Sequence, residues 1–419
     1  MSAATLSPEV EAQLKEIGPV ELLVGIPSFN NARTIGHVVR AVSTGLAKYF
    51  PGRPAAIVNS DGGSSDGTRE QVVAAELASP SAILVAHALS PAQKIVTPYD
   101  GIPGKGSAFR TVFTIAERLG ARACAVVDSD LRSITPEWIE LLLGPVLGQG
   151  QDFVAPLYLR HKYDGTITNS IVYPLTRALY GKDVRQPIGG DFGFSGRLAA
   201  HYLGKPVWDS NVARFGVDIW MSTTAVAEGF EVCQAFLGAK LHDAKDPGAD
   251  LADMMVQVVS SVFDLMGAYR ERWASVTGVE AVPLFGFPHG VGLEPVRVDA
   301  ERMIRVFRQA ARDLSEIWRS ALAEETWRDV RQLAEAELDQ FRFPDAVWVR
   351  TVYDFALAYQ RRLLPADQLL RSLVPAYLGR TAGFVLETVT SDAEDVEARI
   401  RLLADRFVAQ KPYLLQRWS

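Results

Sequence analysis

Cysteine is nearly absent from this chain: two residues in 419, Cys124 and Cys233, each inside an apolar run. Two thiols make neither a disulfide framework nor, by themselves, a zinc site. Both are expected as buried thiols in a reducing compartment. Long hydrophobic runs are missing as well. No stretch approaches the roughly 18 consecutive apolar residues of a membrane span, and the opening MSAATLSPEVEAQLKEIGPV is polar, unlike a signal segment. A soluble, cytoplasmic protein is the expectation. Positive charge is not in excess: 43 Lys and Arg face 49 Asp and Glu, a net charge of −6. The balance gives no reason to expect nucleic acid as a partner. Internal repeats and low-complexity segments are also lacking.

What remains is the composition of a globular enzyme, 48% hydrophobic and 22% charged, with length for roughly two to three domains. Short β-rich runs alternate with helix-length segments from residue 21 to about 160. The strands are expected at Glu21–Ile26, Ala55–Asn59, Ala82–His87, Ala121–Val127 and Asp152–Leu157. Helices are expected around Thr34–Tyr49, Arg69–Leu77, Ser107–Leu119 and Pro136–Leu147. Continuous apolar strands alternating with helices predict an α/β fold with a parallel sheet covered on both faces. Residues 161–297 are less regular and richer in glycine and aromatics. Beyond 298, apolar residues at three- and four-residue spacing predict helices over Val298–Ala323, Glu325–Gln340, Ala346–Leu364 and Ala393–Val408.

Open α/β sheets bind ligands at the carboxyl ends of their strands. Four successive strand ends here carry polar, acidic or glycine-rich segments. The first is Pro27-Ser28-Phe29-Asn30-Asn31, and the second is Asp61-Gly62-Gly63-Ser64-Ser65-Asp66-Gly67-Thr68. The third runs from Thr97 to Gly106, and the fourth is Asp128-Ser129-Asp130. Residues i and i+2 of a strand share a face, so Asp128 and Asp130 can converge on one hard cation. Such an ion can stabilise a departing diphosphate. The plainer reading of D-S-D is a strand-end turn with solvated carboxylates. The Asp61–Thr68 loop suits a nucleoside, or else a turn in which Asp66 caps the next helix. Gly104-Lys105-Gly106 opens a helix and offers backbone N–H groups and an ammonium to phosphate oxygens; alternatively it is a flexible loop with a solvated lysine.

Taken in order, P-x-x-N, D-G-x-S-x-D-G-T, G-K-G and D-S-D resemble the nucleotide-sugar glycosyltransferases of the GT-A fold. The closer resemblance is to the retaining synthases of glucosyl- and mannosyl-3-phosphoglycerate and of glucosyl- and mannosylglycerate. It is carried by Gly104-Lys105-Gly106-Ser107-Ala108-Phe109-Arg110, by the D-S-D-L beginning at Asp128, by Gln186-Pro187-Ile188-Gly189-Gly190-Asp191, by Gly216-Val217-Asp218-Ile219 and by Lys240-Leu241-His242. It spans roughly residues 20 to 260.

The resemblance implies an α/β GT-A domain, Rossmann-like in its nucleotide-sugar half, with a C-terminal helical subdomain. Its divisions would be an extension (1–20), a nucleotide-sugar half (21–160), an acceptor half (161–297) and the helical subdomain (298–419). It implies transfer of a hexose from a nucleoside diphosphate-sugar, of the UDP-glucose or GDP-mannose type, to D-glycerate or 3-phosphoglycerate. The anomeric configuration would be retained. Pro27, Ser28, Asn31, Asp61, Lys105 and Asp128 would bind the donor. Asp130, His242 and Asp128 would hold a divalent cation, Mg²⁺ or Mn²⁺. Asp218, Lys105 and Asp130 would serve catalysis. Arg160, Lys162, Thr166, Thr168, Gly189, Gly190 and Asp191 would bind the acceptor. A homodimer or higher homo-oligomer is expected, with assembly as the role of the helical tail.

Three departures shape these expectations. Asn31 stands where the relatives have Glu, which leaves the donor base open, and Asp218 also replaces a Glu, shortening the side chain by one methylene. Thr166, in Asp164-Gly165-Thr166-Ile167-Thr168-Asn169, stands where they carry the arginine that holds the acceptor phosphate. A threonine cannot make a bidentate phosphate contact, so unphosphorylated glycerate is the expected acceptor. The alternatives are a sugar nucleotidyltransferase, whose Gly-rich loop after the first strand is not evident here, and a non-catalytic nucleotide-sugar-binding protein.

Overall fold

The computed structural model describes residues 4–75, 93–98, 104–241, 252–290, 292–294 and 296–418. The chain divides into two compact units. The first comprises Met1–Leu159, Gln186–Asp243 and Val282–Leu293; the second comprises Arg160–Arg185, Ala244–Ala281 and Glu294–Ser419.

The first unit is built on a sheet of eight strands: β1 (Leu22–Ser28), β2 (Ala55–Asp61), β3 (Gln93–Pro98), β4 (Ala123–Val126), β5 (Phe153–Leu159), β6 (Phe192–Ser195), β7 (Val232–Ala239) and β8 (Leu284–Phe285). Their order is β8-β7-β5-β6-β4-β1-β2-β3. Every pairing is parallel except those of β6, which runs antiparallel to β4 and β5. The expected α/β fold is observed, and its sheet is parallel as expected except at β6, whose antiparallel entry the sequence pattern does not predict. β1 and β2 are buried along their whole length, which is why they read as uninterrupted apolar runs instead of alternating ones. The candidate strand Ala82–His87 lies outside the described residues.

The helices of this unit are α1 (Pro8–Ile17), α2 (Ile35–Tyr49), α3 (Thr68–Ala74), α4 (Lys105–Leu119), α5 (Pro136–Gly148), α6 (Gly196–Leu203) and α7 (Val217–Ala227). α2 buries Ile35, Val38, Val39, Val42 and Leu46, one stripe at helical spacing. That stripe joins Val24, Ile26 and Ile57 of the strands and Trp138, Ile139 and Leu142 of α5 in one core. Cys124 and Cys233 are free and buried, and burial pushes the Cys233 thiol up to about 12.

The second unit is mainly helical. Ala300–Asp313, Ser315–Ala321, Glu324–Glu335, Asp345–Gln360 and Ala393–Ala409 answer the periodic segments. Its longest helix, Ala366–Thr388, has no polar stripe over its middle turns. Residues 376–385 are buried without interruption, and Pro375 lies inside it. Among the described residues, no helix is long and apolar enough to cross a membrane.

Candidate active site

Antiparallel insertion of β6 is what assembles the site. Val126 at the end of β4 pairs with Phe192 at the start of β6, so Asp191 enters the sheet where Asp128 leaves it. The Asp128 backbone N–H donates to Asp191 Oδ1 at 2.7 Å. β5 and β7 finish at the same edge, with a register shift between Leu157 and Tyr158. Gln186 fills the irregularity: its Oε1 accepts from the Tyr158 N–H (3.2 Å) and its Nε2 donates to the Tyr158 carbonyl (2.9 Å).

Two lysines meet three carboxylates there. Lys105, the first residue of α4, places Nζ 2.8 Å from Asp128 Oδ1 and 3.2 Å from Asp218 Oδ2. Lys240, just past β7, places Nζ 2.7 Å from Asp128 Oδ2, 2.7 Å from Asp191 Oδ2 and 2.8 Å from the Gly189 carbonyl. The Tyr158 hydroxyl donates to Asp191. Burial alone would lower the Lys105 pKa, yet the Asp128 and Asp218 charges outweigh it and raise the pKa. Burial would raise Asp128, but Lys105 and Lys240 hold it well below the carboxylate range. Asp218 is raised, first by burial and then by the neighbouring Asp128 charge. Its Oδ1 is buried without a hydrogen-bond partner. The arrangement therefore offers a largely buried cation and a carboxylate with spare acceptor capacity.

Glycine is required at two points. Gly190 has φ +91°, and a Cβ there would stand 2.3 Å from Asp128 Oδ2 and 3.0 Å from Lys240 Nζ. Gly106 packs against the segment before α7, where a Cβ would come within 1.8 Å of the Val212 carbonyl. The Gly106 N–H donates to the Arg214 carbonyl at 3.1 Å. One of the amides expected to be open at the start of α4 is thus already used.

The other donor-side residues form a second, hydrogen-bonded group. Pro27 and Ser28 end β1, and Ser28 stands opposite Asp61. Asp61 accepts from Ser28 Oγ (3.0 Å), Ser64 Oγ (2.6 Å), the Gly63 and Ser64 amides (3.0 and 2.9 Å) and Arg69 Nε (2.8 Å). Burial would raise it, but the Ser64, Arg69 and Ser28 bonds prevail and lower it. Its carboxylate organises the loop. Asp66 shapes the turn before α3, its carboxylate accepting the Thr68 N–H at 3.1 Å, but the N-cap of the helix is Gly67 and not Asp66 as expected. Asn31 Oδ1 accepts from Ser129 Oγ at 2.8 Å, and Thr34 Oγ1 donates to the Ser129 carbonyl at 2.7 Å. These bonds tie the loop after β1 to Asp128-Ser129-Asp130.

The acceptor set divides between the units. Gly189, Gly190 and Asp191 belong to the first, and Arg160, Lys162, Thr166 and Thr168 to the second. Lys162 Nζ donates to the Thr388, Val389 and Ser391 carbonyls at 2.7, 3.0 and 3.1 Å, closing the end of the Ala366–Thr388 helix. Those three bonds occupy the ammonium's donors, so Lys162 has none left for an acceptor phosphate. Arg160 pairs with Asp164 at 3.7 Å, and Thr166 Oγ1 lies 2.5 Å from the Tyr377 hydroxyl. Thr168 is buried at the start of a π-helical turn, Thr168–Val172.

For the metal, Asp128 does not fit the ligand role: both its oxygens already face ammonium groups. Among the described residues, no three His, Cys, Asp or Glu side chains form a cage for an ion. Asp130 lies in the turn after β4, and His242 lies outside the described residues. Lys240 and Tyr158 carry no role in the motif reading. For Tyr158 the available signal was position, directly after the expected strand Asp152–Leu157.

No protein-family model matches this chain, and neither does any curated protein sequence. Solved structures resemble it in part. Glucosyl-3-phosphoglycerate synthase from Mycobacterium tuberculosis in complex with phosphoglyceric acid is 21% identical, over 62% of this chain and 83% of that one, with a TM-score of 0.44. The same enzyme with Mn²⁺, uridine diphosphate and phosphoglyceric acid is 21% identical over 64% and 86%, also at 0.44. A structure described only as a mycobacterial protein is 23% identical over 62% and 78%, at 0.44.

Proposed function

We propose that the chain is a retaining glycosyltransferase that moves a hexose from a nucleoside diphosphate-sugar to a hydroxyl of unphosphorylated D-glycerate. The observation that carries this reading is the convergence of three separate motifs, through Lys105, Asp128 and Asp218, at the carboxyl edge of a parallel sheet. A lysine shared between two aspartates suits a leaving diphosphate, because its charge can pass to phosphate oxygens as they gain negative charge. In this reading the acceptor oxygen bonds to the anomeric carbon as the bond from that carbon to the diphosphate oxygen breaks. The hydroxyl proton passes to the departing diphosphate. Lys105 stabilises that group, Asp218 orients the sugar or acceptor through its free oxygen, and the Gly189–Gly190 loop lies beneath them. Positioning and electrostatics supply the rate. The divalent cation is left to Asp130 and His242; its chemistry when bound is Lewis-acid stabilisation of the diphosphate.

The unphosphorylated acceptor is supported by the engagement of the 160–169 segment. Thr166 replaces an arginine, Lys162 closes a helix and Arg160 pairs with Asp164. The test is a matrix of UDP- and GDP-sugars against glycerate and 3-phosphoglycerate with Mg²⁺ or Mn²⁺. Higher kcat/KM with glycerate is expected. Much higher kcat/KM with 3-phosphoglycerate would overturn the acceptor assignment, and no transfer from any donor would overturn the reading as a whole.

A further inference from the structure

Lys105 and Lys240 divide the Asp128 carboxylate between them, one on each oxygen, but they differ in access. The Lys105 side chain is 15% exposed and that of Lys240 4%. A ligand can reach the first, whereas the second can act only through its neighbours. Those neighbours come from different parts of the chain. Asp128 follows β4, Asp191 immediately precedes β6 and Gly189 lies in the same loop, while Lys240 itself follows β7. A buried carboxylate and a half-buried one brought this close repel unless a cation stands between them. Nζ of Lys240 also lies 5.2 Å from the Tyr158 ring centroid, and that residue's hydroxyl donates to the same Asp191 oxygen, Oδ2, that Lys240 holds. The Gly189 and Gly190 carbonyls face Lys240 and Lys105 respectively, at 2.8 and 3.4 Å. The loop is therefore pinned at consecutive residues.

We infer that Lys240 is a positioning residue that locks the Gly189–Asp191 loop to the Asp128 carboxylate, keeping the acceptor-side loop in register with the donor side. Its catalytic meaning rests on the glycosyl-transfer reading above; the lock itself does not. A loop set correctly favours attack by the acceptor hydroxyl over attack by water. Losing the lock changes the partition between transfer and donor hydrolysis, a ratio that is independent of how much protein is folded.

The experiment compares wild type, Lys240→Met and Lys240→Arg. It measures transfer to glycerate and hydrolysis of the donor in the same assay, and hydrogen–deuterium exchange over residues 187–191. Lys240→Met is expected to shift the partition toward hydrolysis by about tenfold and to speed exchange in the loop. Lys240→Arg, which keeps the cation, is expected to restore most of both. Equal losses of transfer and hydrolysis with unchanged loop exchange would overturn the inference. Should Lys240→Met fail to fold, Tyr158→Phe removes one Asp191 partner and keeps every charge. A smaller shift in the same direction supports the lock, and no shift in either readout overturns it. If wild type transfers sugar to no acceptor, the glycosyl-transfer reading fails, and loop exchange in the variants alone decides the lock.

Discussion

Lys105 and Asp218 stand 113 positions apart in the chain, yet Nζ of one lies 3.2 Å from Oδ2 of the other. Each lies in the first turn of a helix, α4 and α7. The same ammonium reaches Asp128 at 2.8 Å, so one cation joins the G-K-G, D-S-D and G-V-D-I segments. A charge shared in this way is available to a phosphate without a new group being buried, because the carboxylates already hold it in place.

Lys105→Met removes that charge and keeps the length of the side chain. A fall in kcat of about 10²- to 10³-fold is expected, as for loss of one preorganised transition-state contact. Single-turnover transfer rates would measure it, with circular dichroism as the check on folding.

Gly190→Ala places a methyl group against Asp128 and Lys240 at a positive φ. A loss of stability of about 1–3 kcal/mol is expected, together with lower transfer activity. Urea denaturation reads the first and the donor–acceptor assay the second. A fully stable, fully active variant would show that the loop tolerates displacement.

Asp130→Ala tests the metal assignment. Turnover that depends on Mg²⁺ or Mn²⁺ should disappear while circular dichroism shows the fold retained, because Asp130 is half-buried in the turn after β4 and is not part of the core. Metal-dependent activity equal to that of wild type would remove Asp130 from the ion's coordination.

Asp345, in the second unit, carries a stability prediction. Its Oδ1 lies 2.8 Å from Nη2 of the buried Arg380, and Arg399 grips it at 2.6 and 2.7 Å. Burial would raise the carboxyl, but the Arg399 and Arg380 contacts prevail and lower it from 3.8. The unfolded chain therefore binds this proton more readily than the native one. The stabilisation is complete above pH ~4 and is lost as pH falls through the depressed native value. Asp345→Ala leaves the buried Arg380 without its carboxylate while Arg399 keeps Glu387 at 3.0 Å, and a cost of about 3–5 kcal/mol is expected. Asp345→Asn should flatten the acid limb of the stability profile, measured by urea titration between pH 2 and 6.

The sequence alone was enough to read the α/β alternation, the helical tail and the strand-end chemistry. Apolar runs, helical spacing and turn residues are local signals, and β1, β2, α2 and α5 follow from them directly. The helix Ala366–Thr388 escaped that reading because burial on nearly every face leaves no stripe to detect. Ordered motifs pointed to Lys105, Asp128, Asp191 and Asp218, but not to which would touch. That was decided by the antiparallel entry of β6, which sets Asp191 beside Asp128. The end of β7 set Lys240 against the Asp128 carboxylate, and it was the helix end at Thr388 that claimed Lys162. Pairing of this kind depends on register and on which unsatisfied carbonyl or carboxylate lies nearest. Those are distances in space, and residue type and spacing along the chain do not contain them.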